Sequence, residues 1–243
     1  MKRRSILFAL TLSSILGFSL WSCSDKGLFG SGEGSGSKEF QGMITYKVDY
    51  QLPPKRQRMA SLLPDQEVVY LKGGKSRLQR QLTMGVEMAV IHNPNRDSMV
   101  QLVDPKGMGK LGPTRVPIAI DTGSKNNIEY TDEKDTLTVA VGGEKKKDYV
   151  CKKAIFTRKV QEKELKMKVW YTEKLQGQPF HQFKGLKGFP LKFRSKANGY
   201  PVEKEAKKIV EKEVADTLFD LHPEGYTTRS MKELQQKMRS RGR

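Results

Sequence analysis

Residues 163–172 alternate apolar and polar side chains without a break: Leu165, Met167, Val169 and Tyr171 hold one parity, and Glu164, Lys166, Lys168 and Trp170 the other. A period of two matches an extended strand with one buried face and excludes a helix of 3.6 residues per turn. The same alternation recurs at 42–50, where Ile44, Tyr46 and Val48 oppose Thr45, Lys47 and Asp49, and at 136–141, where Leu137, Val139 and Val141 share a face. Leu191 and Phe193 continue it before an Asn198-Gly199 turn. Runs 67–71 and 76–82 flank Lys72-Gly73-Gly74-Lys75, a two-glycine hairpin signal, and Gly142-Gly143 turns 136–141 back into 149–158. The chain is therefore expected to be mainly β, a curved antiparallel sheet of eight to ten strands with one apolar and one basic-polar face.

An apolar sheet face needs a cover. Two short segments are candidates: 56–63, which ends at Pro64, and 230–238, opened by Ser230-x-x-Glu233 at capping-box spacing. The run 202–214 stays open on its residues. Its apolar side chains Val202, Ala206, Val210 and Val214 fall every four, which suits either period.

The first residues are of another kind. Lys2, Arg3 and Arg4 precede one apolar run over 5–20, shorter than the roughly 20 residues of a spanning helix. Leu20-Trp21-Ser22-Cys23 follows and resembles a lipobox, Trp21 being bulkier than that pattern usually has. Residues 1–22 are accordingly expected to be a lipoprotein signal peptide and Cys23 the lipidated residue. Two or more acyl chains, at about 0.8 kcal/mol per buried CH₂, suffice for stable anchoring. Residues 23–38 are rich in Gly and Ser and read as a tether reaching roughly 20 Å. Residues 39–243 then form a single β-rich domain with a C-terminal helix. Ser24 rather than Asp after Cys23 resembles an outer-membrane address, so the expected location is the cell envelope, lipid-anchored at the outer membrane.

The formal net charge is +18, from 45 Lys and Arg against 27 Asp and Glu. Without Lys2, Arg3 and Arg4 the 42 remaining cations leave +15. Such a surface favours anionic partners, and export sets nucleic acid aside in favour of acidic polysaccharide or lipid headgroups. With Cys23 acylated, Cys151 has no disulfide partner in the chain and reads as a small buried residue.

No catalytic constellation emerges. His92, His181 and His222 lie far apart without metal-ligand spacing, and no serine stands in a Gly-x-Ser-x-Gly elbow. Gly107-Met108-Gly109-Lys110-Leu111-Gly112 matches a phosphate-loop spacing but lies between Pro105 and Pro113, where a loop is expected. Asp132, Glu133 and Asp135 beside Lys134 read as a solvated loop. No catalytic residue, metal ligand or cofactor is assigned.

From Phe40 onward the chain resembles a group of Gram-negative envelope lipoproteins that share a domain of unknown function. The matching residues are Gly42-x-Ile44-x-Tyr46; Tyr70-x-Lys72-Gly73 with Ser76-Arg77; Tyr149-x-Cys151-Lys152-Lys153-Ala154; Val169-Trp170-Tyr171-Thr172; the run Phe183 through Leu191; Asp216-x-x-Phe219; and Pro223-Glu224-Gly225-Tyr226. That group is similar to the lipoprotein-carrier half-barrels (LolA-, LolB- and LppX-like), in which a curved sheet wraps helices around an apolar cavity. The resemblance implies a half-barrel with one or two short covering helices, makes 202–214 a late strand, and transfers no catalytic residues. The function expected is non-enzymatic binding of a lipid or other hydrophobic ligand, with Leu137, Val139, Val141, Leu165, Met167, Val169 and Tyr171 as the lining. The alternative is an interaction lipoprotein that holds an envelope protein or an anionic polysaccharide through its basic face. In either case the membrane is a partner through Cys23.

Overall fold

A computed structural model describes residues 39–106, 112–120, 127–143, 145–160, 163–177, 180–197 and 200–239, with backbone alone at 84, 158–160, 163–165, 196–197 and 238–239. Ser37–Arg243 form one compact unit. The signal peptide, the tether, Cys23 and residues 107–111 of the glycine-rich loop lie outside the described residues.

Twelve strands make one curved sheet: β1 Gly42–Tyr50, β2 Gln66–Lys72, β3 Lys75–Gln81, β4 Glu87–Asn93, β5 Ser98–Asp104, β6 Thr114–Ile118, β7 Asn127–Val141, β8 Lys145–Val160, β9 Lys163–Thr172, β10 Phe189–Ala197, β11 Tyr200–Glu211 and β12 Thr227–Thr228. Among the described residues one α-helix, α1 Met231–Arg239, follows. The expectation of a mainly β, antiparallel, curved sheet is met, with more strands than the alternation revealed. Two short pairings are parallel, β7 with β11 and β6 with β12.

The register explains the curvature. One edge of β11 pairs with β1 along its length, from Val202↔Tyr50 to Glu211↔Gly42. Its other edge is shared: residues 200–205 pair with β10, and Lys208 and Ile209 with Ala140 and Val141 of β7. The meander β7–β8–β9–β10 therefore begins and ends on the same edge of β11 and closes a five-strand ring. β1 to β6 and β12 extend from β11 as an open sheet, so the whole is not a closed barrel. The turn at Gly73 and Gly74, with φ of 53° and 72°, needs the left-handed region at both positions, which is why two glycines stand there.

Aromatic side chains fill the inside of the curl. Phe180 and Phe183 enter from the β9–β10 connection, along with Leu175 and Leu186. The rings of Phe180 and Phe183 pack edge-on against Tyr46, Phe156 and Phe193, with centroids 4.9–5.6 Å apart. Each fully buried Phe contributes roughly 1.5–3 kcal/mol by removing apolar area from water. On the open sheet, the opposite face of β4 and β5 (Ala89, Ile91, Val100, Leu102) is covered by Val214, Phe219 and Leu221 of the chain after β11. Leu234 of α1 covers Val103 and Val116.

The cover expected at 56–63 is not there. That segment is a 3₁₀ turn, Pro54–Leu62, with no buried residue. Its residues Lys55, Arg56, Gln57 and Arg58 leave too little apolar surface to dock. α1 matches its expectation: Glu233 N–H donates to Ser230 Oγ at 3.2 Å and Ser230 N–H to Glu233 Oε2 at 2.7 Å, the reciprocal bonds of a capping box.

Candidate functional site

The seven residues expected to line one cavity lie on β7 and β9, the two strands that flank β8. Leu137 pairs with Tyr149, and Val169 pairs with Ala154. Val141 lies beside Ile209 of β11, and Ile209 beside Ile44 of β1, which shares a face with Tyr46. Leu137, Val139, Val169 and Tyr171 are buried, Val141 and Met167 half-buried, and the side chain of Leu165 is outside the described residues. The Met167/Val169 face is the one occupied by the phenylalanine cluster.

The reverse side of β9 is different. Trp170 is half-buried and pairs with Lys153 of β8 on one flank and Lys192 of β10 on the other. Lys168, two residues back, and Arg194, two residues beyond Lys192, share that face because strand parity repeats every second residue. These five side chains, with Phe193 and Glu203, line a hollow of about 280 Å³. Four cations and one carboxylate line it, and Glu133 and Glu205 reach two of those cations from beside it.

The electrostatics of the hollow are graded. Lys153 is 9% exposed, its ammonium 2.7 Å from both Glu133 oxygens and 5.7 Å from the Trp170 ring centre. Glu133 reaches it from the irregular stretch of β7 between Tyr130 and Lys134, where a loop was expected and a bulged strand is found. Arg194 donates to Glu203 at 2.9 Å, and Lys192 lies 3.6 Å from Glu203 and 3.7 Å from Glu205. Partial burial pushes the Glu203 carboxyl up, but the Arg194 hydrogen bond and the Lys192 and Arg194 charges outweigh it and hold it below its usual value. Lys168 is exposed and has no ion-pair partner among the described residues. The arrangement offers an aromatic face between fixed cations, with one cation unspent.

Two further clusters were not legible in sequence. Glu67, 1% exposed, is bonded by Lys204 at 2.5 Å and lies 3.6 Å from Arg80 on the inner side of the sheet. His92 at the end of β4 meets His181 of the β9–β10 connection, ring centres 5.2 Å apart, beside a hollow that Asp97 and Glu39 also line. Burial first, then His181, lowers the His92 imidazole from its ordinary value. His222 is exposed and joins neither. No group of three metal-type ligands occurs among the described residues.

The Trp170 constellation was missed as a unit because its members come from four strands. Parity alone puts Lys168 with Trp170 and Lys192 with Arg194, but only the register sets the two pairs side by side with Lys153.

No protein family matches the chain, and no curated protein does. Among solved structures, that of PNGF-II in space group C2 aligns with a TM-score of 0.48 at 16% identity, over 81% of this chain and 32% of the other. The chain thus spans about a third of that protein's length. A likeness this distant assigns it no activity.

Proposed function

We propose that this chain is a lipid-anchored envelope protein that recognises an anionic, sugar-containing polymer through the basic face around Trp170. The carrying observation is the hollow itself, a half-buried indole held between Lys153 and Lys192 with Lys168 free beside it. A sugar ring presents C–H groups that suit an aromatic face, and its carboxylate or sulfate groups pair with the flanking cations. Of the two readings drawn from sequence, the geometry favours the basic face. The interior on the Met167/Val169 side is taken up by Phe156, Phe180, Phe183 and Phe193. The anchor rests on the sequence of residues 1–23, and no helix among the described residues is long and apolar enough to cross a membrane.

Residues 37–243, passed over immobilised polygalacturonate and immobilised dextran, are expected to be retained by the acid polymer alone and to elute with salt. Equal passage through both would overturn the glycan reading. Acyl lipid extracted from the purified protein at one molecule per chain would return the argument to a hydrophobic ligand. For the anchor, the mature N-terminus is expected to be Cys23 carrying acyl mass. An unmodified terminus elsewhere would refute it.

A further inference from the structure

The 3₁₀ turn Pro54–Leu62 has no buried residue, yet it carries Met59 and Leu62 at 46% and 54% exposure. A 3₁₀ helix has three residues per turn, so side chains three apart eclipse. Arg56, Met59 and Leu62 therefore form one row, and Lys55, Arg58 and Ser61 the next. The turn contains three cations and no carboxylate. Arg56 rests over the Tyr200 ring at 5.4 Å, and Thr83 Oγ donates to the Leu62 carbonyl at 3.4 Å, so the turn is tied to the body near both ends. Lys55 and Arg58 have no ion-pair partner among the described residues.

We infer that this turn is a contact surface for an anionic lipid bilayer. Two adjacent apolar side chains projecting into solvent cost free energy that a hydrated polymer would not recover. An interface where headgroup phosphates meet Lys55 and Arg58 while Met59 and Leu62 enter the acyl boundary recovers it. The inference is independent of the Trp170 hollow and of an acyl group on Cys23.

The test uses residues 37–243, the compact unit without the predicted anchor, sedimented with vesicles of phosphatidylcholine alone or with 30% phosphatidylglycerol. Binding is expected to the anionic vesicles and to weaken with salt. Lys55→Gln with Arg58→Gln is expected to lower the partition coefficient about thirtyfold. Met59→Ser with Leu62→Ser is expected to lower it about tenfold or more. Because these residues are exposed, the variants should keep the parent's melting temperature. Equal partition onto both vesicle types, or variants that bind like the parent, would overturn the inference. So would loss of vesicle binding in Trp170→Ala alone, which would give the membrane contact to the hollow.

Discussion

Tyr46 ties together two runs 144 residues apart, its hydroxyl donating to the Pro190 carbonyl at 2.7 Å inside the curl. Burial, with the Glu67 charge adding to it, pushes the phenol well above its ordinary value, so the group stays a donor. Tyr46→Phe keeps the ring packing and removes the bond, leaving a buried carbonyl unpaired. Urea denaturation is expected to show a loss of about 1–2 kcal/mol. A change within error would mean that water replaces the bond. Cys151 is wholly buried, and burial followed by the Asp135 charge pushes its thiol up to about 12. Iodoacetamide at pH 8 is therefore expected to leave Cys151 unlabelled in the folded chain and to label it after unfolding. Both residues drew notice in the sequence, Tyr46 for its strand parity and Cys151 for its lack of a partner. The Pro190 contact depends on a register that parity does not contain.

Among the elements, the 3₁₀ turn Asp216–Phe219 shows how a short segment becomes a cover. Asp216 accepts from Lys72 and Lys75, each at 2.8 Å, and Lys72 also donates to the Val214 carbonyl, clasping the turn to the β2–β3 hairpin. Phe219 is thereby placed on the core of β4 and β5. The two lysine hydrogen bonds, Lys72 first, hold the Asp216 carboxyl at about 2. Its folded value lies below an unfolded one of about 4, so the stabilisation is complete above that pH and disappears as pH falls through about 2. Melting temperature is expected to fall between pH 4 and 2, and to fall less in Asp216→Asn than in the parent. Parallel curves would remove Asp216 from the acid transition. The regular elements were legible where one periodicity ran unbroken: β9 falls on residues 163–172 as read, and the capping box placed α1 within a residue. The β9–β10 connection was not, because Leu175, Phe180, Phe183 and Leu186 follow no period. Gly188 beside it is required by contact alone, since a Cβ there would lie 2.5 Å from the Thr172 carbonyl oxygen.

At the scale of the molecule, sharing one edge of β11 between β7 and β10 fixes both the curl and the use of its two sides. The aromatic connection is drawn into one side, and the Lys153–Trp170–Lys192 row is left on the other. That division was out of reach of sequence: alternation identifies the faces of each strand, but not which strands lie side by side. The charge of the chain then acquires a location, with Lys168 exposed in the hollow and the Pro54–Leu62 turn as a separate cationic surface. Trp170 also supplies its own reporter, because the other tryptophan, Trp21, lies in the predicted signal peptide. Titrating residues 37–243 with polygalacturonate while following tryptophan emission tests the binding claim at the residue that carries it. A saturable change in emission is expected that weakens with salt, is absent with dextran and is lost in Lys168→Gln with Lys192→Gln. An emission spectrum unmoved by the acid polymer, or moved equally by dextran, would contradict it.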